Sequence, residues 1–238
     1  MAGEQLFYDR PTFPAQLDMA HPLTRGLIGC WVFNENEPSC MRVWDSSPYG
    51  NNGSVLGGTP RARSDGRLFN GTNDLIIIDA LSTMMTTFSW IIWLNPDVVT
   101  PTKYPLAKRH VQYLRINTDA RIYISLNGTN ANQSITEQTL TAGQWVCIGV
   151  RYDDAGDRKA YVFINGVPTT YGGGGQQIAV TGSITDDVSE SITFGGYGDT
   201  GELWWPGRIG GALIYKNRVL NPAEFQDLYL HPYAMFLR

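Results

Sequence analysis

The sequence predicts an all-β fold, an antiparallel sandwich of two sheets with one short C-terminal helix. Three observations carry this prediction. Residues 143–167 alternate strictly: Val146, Ile148, Val150 and Tyr152 share one face, and Trp145, Cys147, Gly149 and Arg151 the other. Elsewhere the chain is a series of short apolar runs broken by Gly, Asn, Asp and Pro, the turn-forming residues. Helix-start chemistry is concentrated in one place, at Asn221-Pro222-Ala223-Glu224.

The hairpin within 143–167 sets the requirement for everything else. Asp153, Asp154, Gly156 and Asp157 supply its first turn, residues 158–164 its second strand, and Asn165-Gly166 a turn that closes it. Two such strands are not stable alone, so a second sheet must cover them. A chain of 238 residues is long enough to supply it as a single domain.

Composition excludes several partners. A formal charge of −4 gives no electrostatic footprint for nucleic acid or an anionic membrane. No apolar run approaches the ~20 residues that span a bilayer. The opening MAGEQLFYDRPTFPAQ has neither the basic nor the apolar region of a secretory leader, so synthesis in a cytoplasm is expected. Three cysteines, Cys30, Cys40 and Cys147, form an odd set without metal-ligand spacing, and Cys30 and Cys147 fall in strand patterns, as buried thiols would. Sequons occur at Asn52, Asn70, Asn127 and Asn132. The first three are Asn-Gly pairs, read as turns.

Taken in order, residues 1–25 hold Pro11, Pro14 and Pro22 and lack a sustained period, so they are expected as an extended arm. Phe7, Tyr8, Phe13 and Leu17 are too apolar for a free tail. They either wrap their own domain or dock on a partner, and a partner-binding arm is the expectation. The sandwich occupies 26–230. Residues 26–33 form a fully apolar strand, 43–45 a short extended piece, and 66–78 two strands around Asn70-Gly71. In 88–94, Phe88, Trp90, Ile92 and Leu94 oppose Ser89, Ile91 and Trp93, and Pro96 ends the run. Further strands fall at 104–107, 113–117, 120–126, 134–137, 191–195 and 207–215. Four glycines at 172–175 imply close backbone approach or flexibility. No Lys-Ser/Thr follows them, so they are not a phosphate loop. The helix places Phe225, Leu228 and Tyr229 on one face. A tail, 231–238, closes the chain.

The pieces GLIGCWVFNEN, VWDSSPYGNNG, GRLFNGTNDLIII, FSWIIWLNPD, GQWVCIGVRYD, AYVFINGV, ITFGGY and GRIGGALIYKNRVLNPAEF, in this order, resemble the laminin-G-like, concanavalin-A-like jelly-roll family. The resemblance implies two curved antiparallel sheets, face to face, with first and last strands side by side. It also implies single-domain relatives among bacteriophage virion proteins, such as capsid decorations and fibre-associated modules. The close HPYAMFLR is similar to the endings of such phage-encoded chains.

Family members often hold calcium near the sandwich rim, and Glu35, Asp45 and Asp74 are the oxygen donors that such an ion would take here. Gly210-Gly211 stand where the family often has acidic residues, so no metal site is expected, and Asp45 and Asp74 are read as bonding turn amides. Glycosidases of this fold project paired carboxylates from one strand, a pattern absent here. Glu35 with Glu37, and Asp186, Asp187 with Glu190, fall in loops. His21, His110 and His231 are isolated from any triad partners. No catalytic residue, enzyme activity or cofactor is expected.

Trp31, Trp90, Trp145 and Phe163 lie in strand patterns and are expected in the core. Tyr171, Tyr197 and Trp204 lie in or beside Gly-rich loops and form the expected ligand surface, while Trp205 packs inward beside Trp204. Two functions follow. One is a non-enzymatic structural component of a virion, bound to other virion subunits through the arm. The alternative is a carbohydrate-binding, lectin-like module.

Overall fold

The computed structural model describes residues 10–35, 41–57, 61–63, 65–79, 86–108, 111–127, 133–184, 188–198 and 203–237. Phe7, Tyr8, Glu37, Cys40, His110, Asn132, Asp186 and Asp187 lie outside the described residues. Among the described residues the chain forms seventeen strands, β1 to β17 in chain order, and one α-helix, α1 (Pro222–Leu230).

The eight-stranded sheet runs β14 (Val167–Pro168), β13 (Tyr161–Ile164), β12 (Val146–Asp153), β7 (Thr87–Pro96), β17 (Pro206–Lys216), β5 (Gly66–Asn70), β4 (Arg61–Arg63), with β1 (Leu27–Trp31) also on β17. The nine-stranded sheet runs β15 (Gln176–Gln177), β11 (Gln133–Thr139), β10 (Arg121–Leu126), β9 (Gln112–Ile116), β8 (Lys103–Lys108), β16 (Ile192–Phe194), β6 (Asp74–Ile78), β3 (Gly53–Gly57), β2 (Arg42–Val43). All pairings are antiparallel, and the expected jelly-roll sandwich is what forms.

The central hairpin pairs Ile148 with Ile164 and Val150 with Val162, while β12 also zips onto β7 along its whole length. Asn165 (φ 52°) and Gly166 (φ 76°) both take positive φ, as this tight turn demands. The alternation separates two hydrophobic clusters. Phe88, Trp90, Ile92, Leu94, Val146, Ile148, Val150 and Tyr152 face the other sheet, with Trp31 and Trp205, and fill the inner core. Ile91, Trp93, Cys147 and Phe163 face outward, where α1 and both chain ends cover them. Trp145 is half-buried at the rim of this second cluster. Gly149 makes that cover possible, since a Cβ there would lie 2.5 Å from the Phe225 ring, which stacks on Phe163 at 4.0 Å.

β17 organises the eight-stranded sheet. One of its edges pairs with β7 throughout, while the other meets β5 over Pro206–Ile209 and β1 over Ala212–Tyr215. Gly210-Gly211 sit at that handover, beside a bulge, and a Cβ on Gly211 would come 3.0 Å from the Trp31 carbonyl. The di-glycine therefore answers a backbone need, the approach of two strand ends to one edge. The segment 66–78 also differs from a simple hairpin, because β5 and β6 belong to opposite sheets and Asn70-Gly71 turns the corner between them. Asn70 Oδ1 accepts from the Thr72 and Asn73 amides, and Asp74 Oδ2 from Asn70 N at 2.8 Å.

The described part of the arm, residues 10–25, lies against its own domain. Leu17 is buried in the outer cluster and bridges Phe236 of the tail, Asp18 N donates to the Met235 carbonyl, and Leu237 N donates to that of Gln16. Phe13 is half-buried, 6.1 Å from the Trp44 ring, and Arg10 donates to the Val32 and Phe33 carbonyls. Leu17 is thus a wrapping residue, for a physical reason: the outer face of β7, β12 and β17 is apolar and needs cover, which the arm shares with α1 and the tail. Leu23, Met235 and Phe236 are buried there too, so residues 10–25 and 231–237 share one cluster with the sandwich. Of the described helices none is long and apolar enough to cross a membrane.

Candidate functional site

The outward face of the nine-stranded sheet carries the aromatic residues left over from core formation. In β9, Leu114 and Ile116 enter the core, which turns Tyr113 and Arg115 outward. In β10, Ile122, Ile124 and Leu126 point in and Tyr123 out; in β6, Ile76 and Ile78 point in and Leu75 out. Register then aligns Tyr123 with Arg115, and Tyr113 with Ala107 of β8.

A bulge in β8 brings Tyr104 onto the same face, 5.2 Å from Tyr113. Tyr197 lies over both, at 4.8 Å from Tyr104 and 5.6 Å from Tyr113. Tyr104 and Tyr113 are buried and Tyr197 is half-exposed, so two rings form the base and one the accessible surface. The loop carrying Tyr197 is tied down by its backbone. Gly196 O accepts from Thr193 Oγ1 at 2.8 Å, and Gly195, at φ 92°, donates to the Pro105 carbonyl. Across Gly196 lies Trp204: a Cβ on that glycine would be 3.1 Å from Leu75 Cδ1 and 3.3 Å from the indole. The Leu203 carbonyl accepts from Tyr104 N, which locks the Trp204 loop to β8. Trp205, next in sequence, is fully buried in the core, as the alternation requires.

The result is a strip from Leu75 and Trp204 through Tyr197 to Arg115 and Tyr123. It crosses four inter-strand steps, or ~19 Å. Arg115 lies 4.8 Å above the Tyr123 ring and 6.0 Å from that of Tyr113. Burial raises the Tyr104 hydroxyl above its ordinary range, and the adjoining Arg115 side chain partly opposes this. The Tyr123 hydroxyl donates to Asp119 at 2.9 Å.

Of the aromatics expected to form a ligand surface, Tyr197 and Trp204 come together here. Among the described residues no ring contact joins Tyr171 to them. Its hydroxyl accepts instead from Val162 N at 2.8 Å, and burial pushes it up to about 12. The neighbouring glycines pack closely: a Cβ would lie 2.6 Å from Glu137 at Gly173 and 2.7 Å from Arg121 at Gly174. Sequence reasoning missed Tyr104, Tyr113, Arg115 and Tyr123. The available signal was period 2, since Tyr113-Leu114-Arg115-Ile116 and Ile122-Tyr123-Ile124 each place a polar aromatic opposite a core residue.

The carboxylates considered for calcium serve other ends. Asp45 Oδ1 accepts from the Cys30 and Ser47 amides, and Oδ2 from Asn51 N and the Ser47 hydroxyl. Four N–H and O–H donors converging on one carboxylate are the reverse of what a cation needs. Glu35 is buried in an ion pair with Arg67 at 3.0 Å and accepts from Trp44 N. The donor set does not fit calcium, and among the described residues no three His, Cys, Asp or Glu side chains gather as a metal site.

Known proteins share this architecture. The chain is 20% identical to domain 4 of AbnA, an extracellular arabinanase from Geobacillus stearothermophilus, solved in complex with arabinotriose. The match has a TM-score of 0.60 and covers 85% of this chain and 98% of that one. Trypanosoma rangeli sialidase in complex with sialic acid matches at TM-score 0.66 and 16% identity, over 98% of this chain and 37% of the other. The botulinum neurotoxin type G receptor-binding domain matches at 0.58 and 16%, over 86% and 51%. The chain thus spans about a third of the sialidase and half of the toxin domain, and at these identities the likeness is one of fold. No curated protein sequence is close enough to count as a match. Residues 70–226 fit the laminin-G-type model described as the concanavalin A-like lectin/glucanases superfamily, and the chain belongs to that superfamily.

Proposed function

We propose that this protein binds carbohydrate, without cleaving it, on the outward strip of Trp204, Tyr197, Tyr113, Tyr104, Arg115 and Tyr123. The observation that carries the proposal is the half-exposed Tyr197 stacked on two buried tyrosines, with Trp204 across Gly196. Sugar rings present flat C–H faces that pack on aromatic rings, while tyrosine and arginine groups at the ring edges supply hydrogen bonds. A preformed platform also limits the ordering cost of binding. The fold relatives solved with arabinotriose and sialic acid are in keeping with this reading.

The test is an oligosaccharide array followed by titration of the hits. Tyr197→Ala and Trp204→Ala should each weaken binding about tenfold, ~1.4 kcal/mol. Tyr49→Ala, at a residue 64% exposed in the loop before β3, should not. Undiminished binding by both strip variants would place the site elsewhere. Prolonged incubation with bound glycans should release no new reducing ends.

Attachment to a virion through residues 1–25 is a separate proposal that rests on the sequence resemblance alone. Leu17 and Phe13 lend it no support, because both pack on their own domain.

A further inference from the structure

The strip contains a cation whose charge no carboxylate among the described residues answers. Arg115 is half-buried, and among the described residues it forms no ion pair. Its neighbours are the Tyr123 and Tyr113 rings and the Tyr104 hydroxyl, and its buried Nε has no hydrogen-bond partner. Asp119, the acid on this edge, accepts from the Tyr123 hydroxyl and from Arg121 N. Arg151 is also stacked on aromatic rings and forms no ion pair among the described residues, but it donates to the Leu220 carbonyl. Arg67, Arg158, Arg208 and Arg218 are each paired with a carboxylate, at Glu35, Asp154, Asp65 and Glu224.

Stacking on tyrosine fixes the plane of the guanidinium, and beyond the Tyr104 hydroxyl its N–H groups meet no carboxylate among the described residues. That is the arrangement suited to a planar, two-oxygen anion approaching along the strip. We infer that the ligand is an acidic glycan, whose carboxylate or sulfate group is held by Arg115 while its sugar rings stack on Tyr197 and Trp204. The inference rests on the carbohydrate-binding reading and narrows it to a class. A neutral sugar would leave the cation without its counterpart. An aromatic strip that needed only stacking would not place a charge over the face of the half-exposed Tyr123 ring.

The experiment measures binding by calorimetry with the whole chain. The probes are a uronic-acid oligosaccharide, the same oligosaccharide with its carboxylates reduced to alcohols, and a sulfated neutral oligosaccharide. The uronate should bind tenfold or more above its reduced form. Its affinity should fall as salt rises from 50 to 500 mM, which shortens the Debye length from about 14 Å to about 4 Å, while that of the reduced form stays level. Arg115→Gln should erase the preference, bringing the uronate and its reduced form to the same affinity, and Arg115→Lys should restore part of it. Preference for the sulfated probe with the same Arg115 dependence supports the inference and identifies the anion as sulfate. Equal binding of uronate and reduced forms overturns the acidic-ligand inference while the carbohydrate reading stands. Binding of no probe, and of no glycan on the array, overturns both. If Arg115→Gln fails to fold, the comparison of carboxylate with its reduced form on the unaltered protein decides alone.

Discussion

Replacing Glu35 by Gln isolates one buried charge. Glu35 and Arg67 are 3% and 0% exposed in their side chains and meet at 3.0 Å. Arg67 also donates to the Arg42 carbonyl, and Arg10 feels the charges of both residues of the pair. Gln keeps the shape and the acceptor for Trp44 N, and sets a neutral NH2 group where Oε2 met Arg67. Arg67 then loses the carboxylate at 3.0 Å, and breaking a buried pair of this kind costs about 3 kcal/mol. In a chain of this size that lowers the melting midpoint by about 6–12 °C. The double variant Glu35→Gln/Arg67→Met removes both charges and should recover most of the loss. Scanning calorimetry at neutral pH reads both. A Glu35→Gln midpoint within about 2 °C of the parent would refute the reasoning, because Arg67 would then be solvated or paired elsewhere. The same instrument checks the metal argument: a chelator should leave the parent midpoint in place, and a fall of more than about 10 °C would reveal a bound ion worth several kcal/mol.

Three further outcomes are expected. Burial raises the Tyr171 and Tyr233 hydroxyls from 10.0 to about 12, so the folded chain holds protons that the unfolded chain releases. Stability should therefore be intact below about pH 10 and decline as pH rises through 12, with Tyr233→Phe flattening the decline in an alkaline unfolding series. Asn221→Ala should cost about 1 kcal/mol in urea unfolding, because it breaks the reciprocal Asn221–Glu224 bonds that cap α1; an unchanged midpoint would mean the cap contributes nothing. Removing residues 1–25 should destabilise the sandwich by several kcal/mol, since Leu17 and Leu23 leave the outer cluster; a truncated chain melting with the parent would show that the wrap is superficial.

What the sequence disclosed and what it hid divide along chain separation. The alternation of 88–94 and 146–152 announced both faces of those strands, and Asn221-Pro222-Ala223-Glu224 announced the helix cap, because each signal lies within a few residues. The strip was hidden because Tyr104, Tyr113, Tyr123 and Tyr197 sit on different strands or loops, and only the pairing of β8, β9, β10 and β16 assembles them. A half-exposed tyrosine on one strand carries no mark that another will lie opposite. The Glu35–Arg67 pair joins a loop to β5 across the sandwich rim in the same way. The fate of Leu17 depended on a tail more than two hundred residues away, beyond the reach of any local pattern.

The handover on β17 also bears on how the chain can be made. β1 is apolar and buried along its whole length, yet its ladder partner is β17, near the opposite end of the sequence. A ribosome working at about 5–20 residues per second releases β1 on the order of ten seconds before β17 emerges. Through that interval Leu27–Trp31 has no ladder to join, and an unpaired apolar strand is a template for other chains. Nascent chains interrupted before Pro206 should therefore be captured by chaperones or aggregate, whereas finished chains close the sheet in one step. The strand that serves β5, β7 and β1 together is the point in synthesis at which the eight-stranded sheet can close.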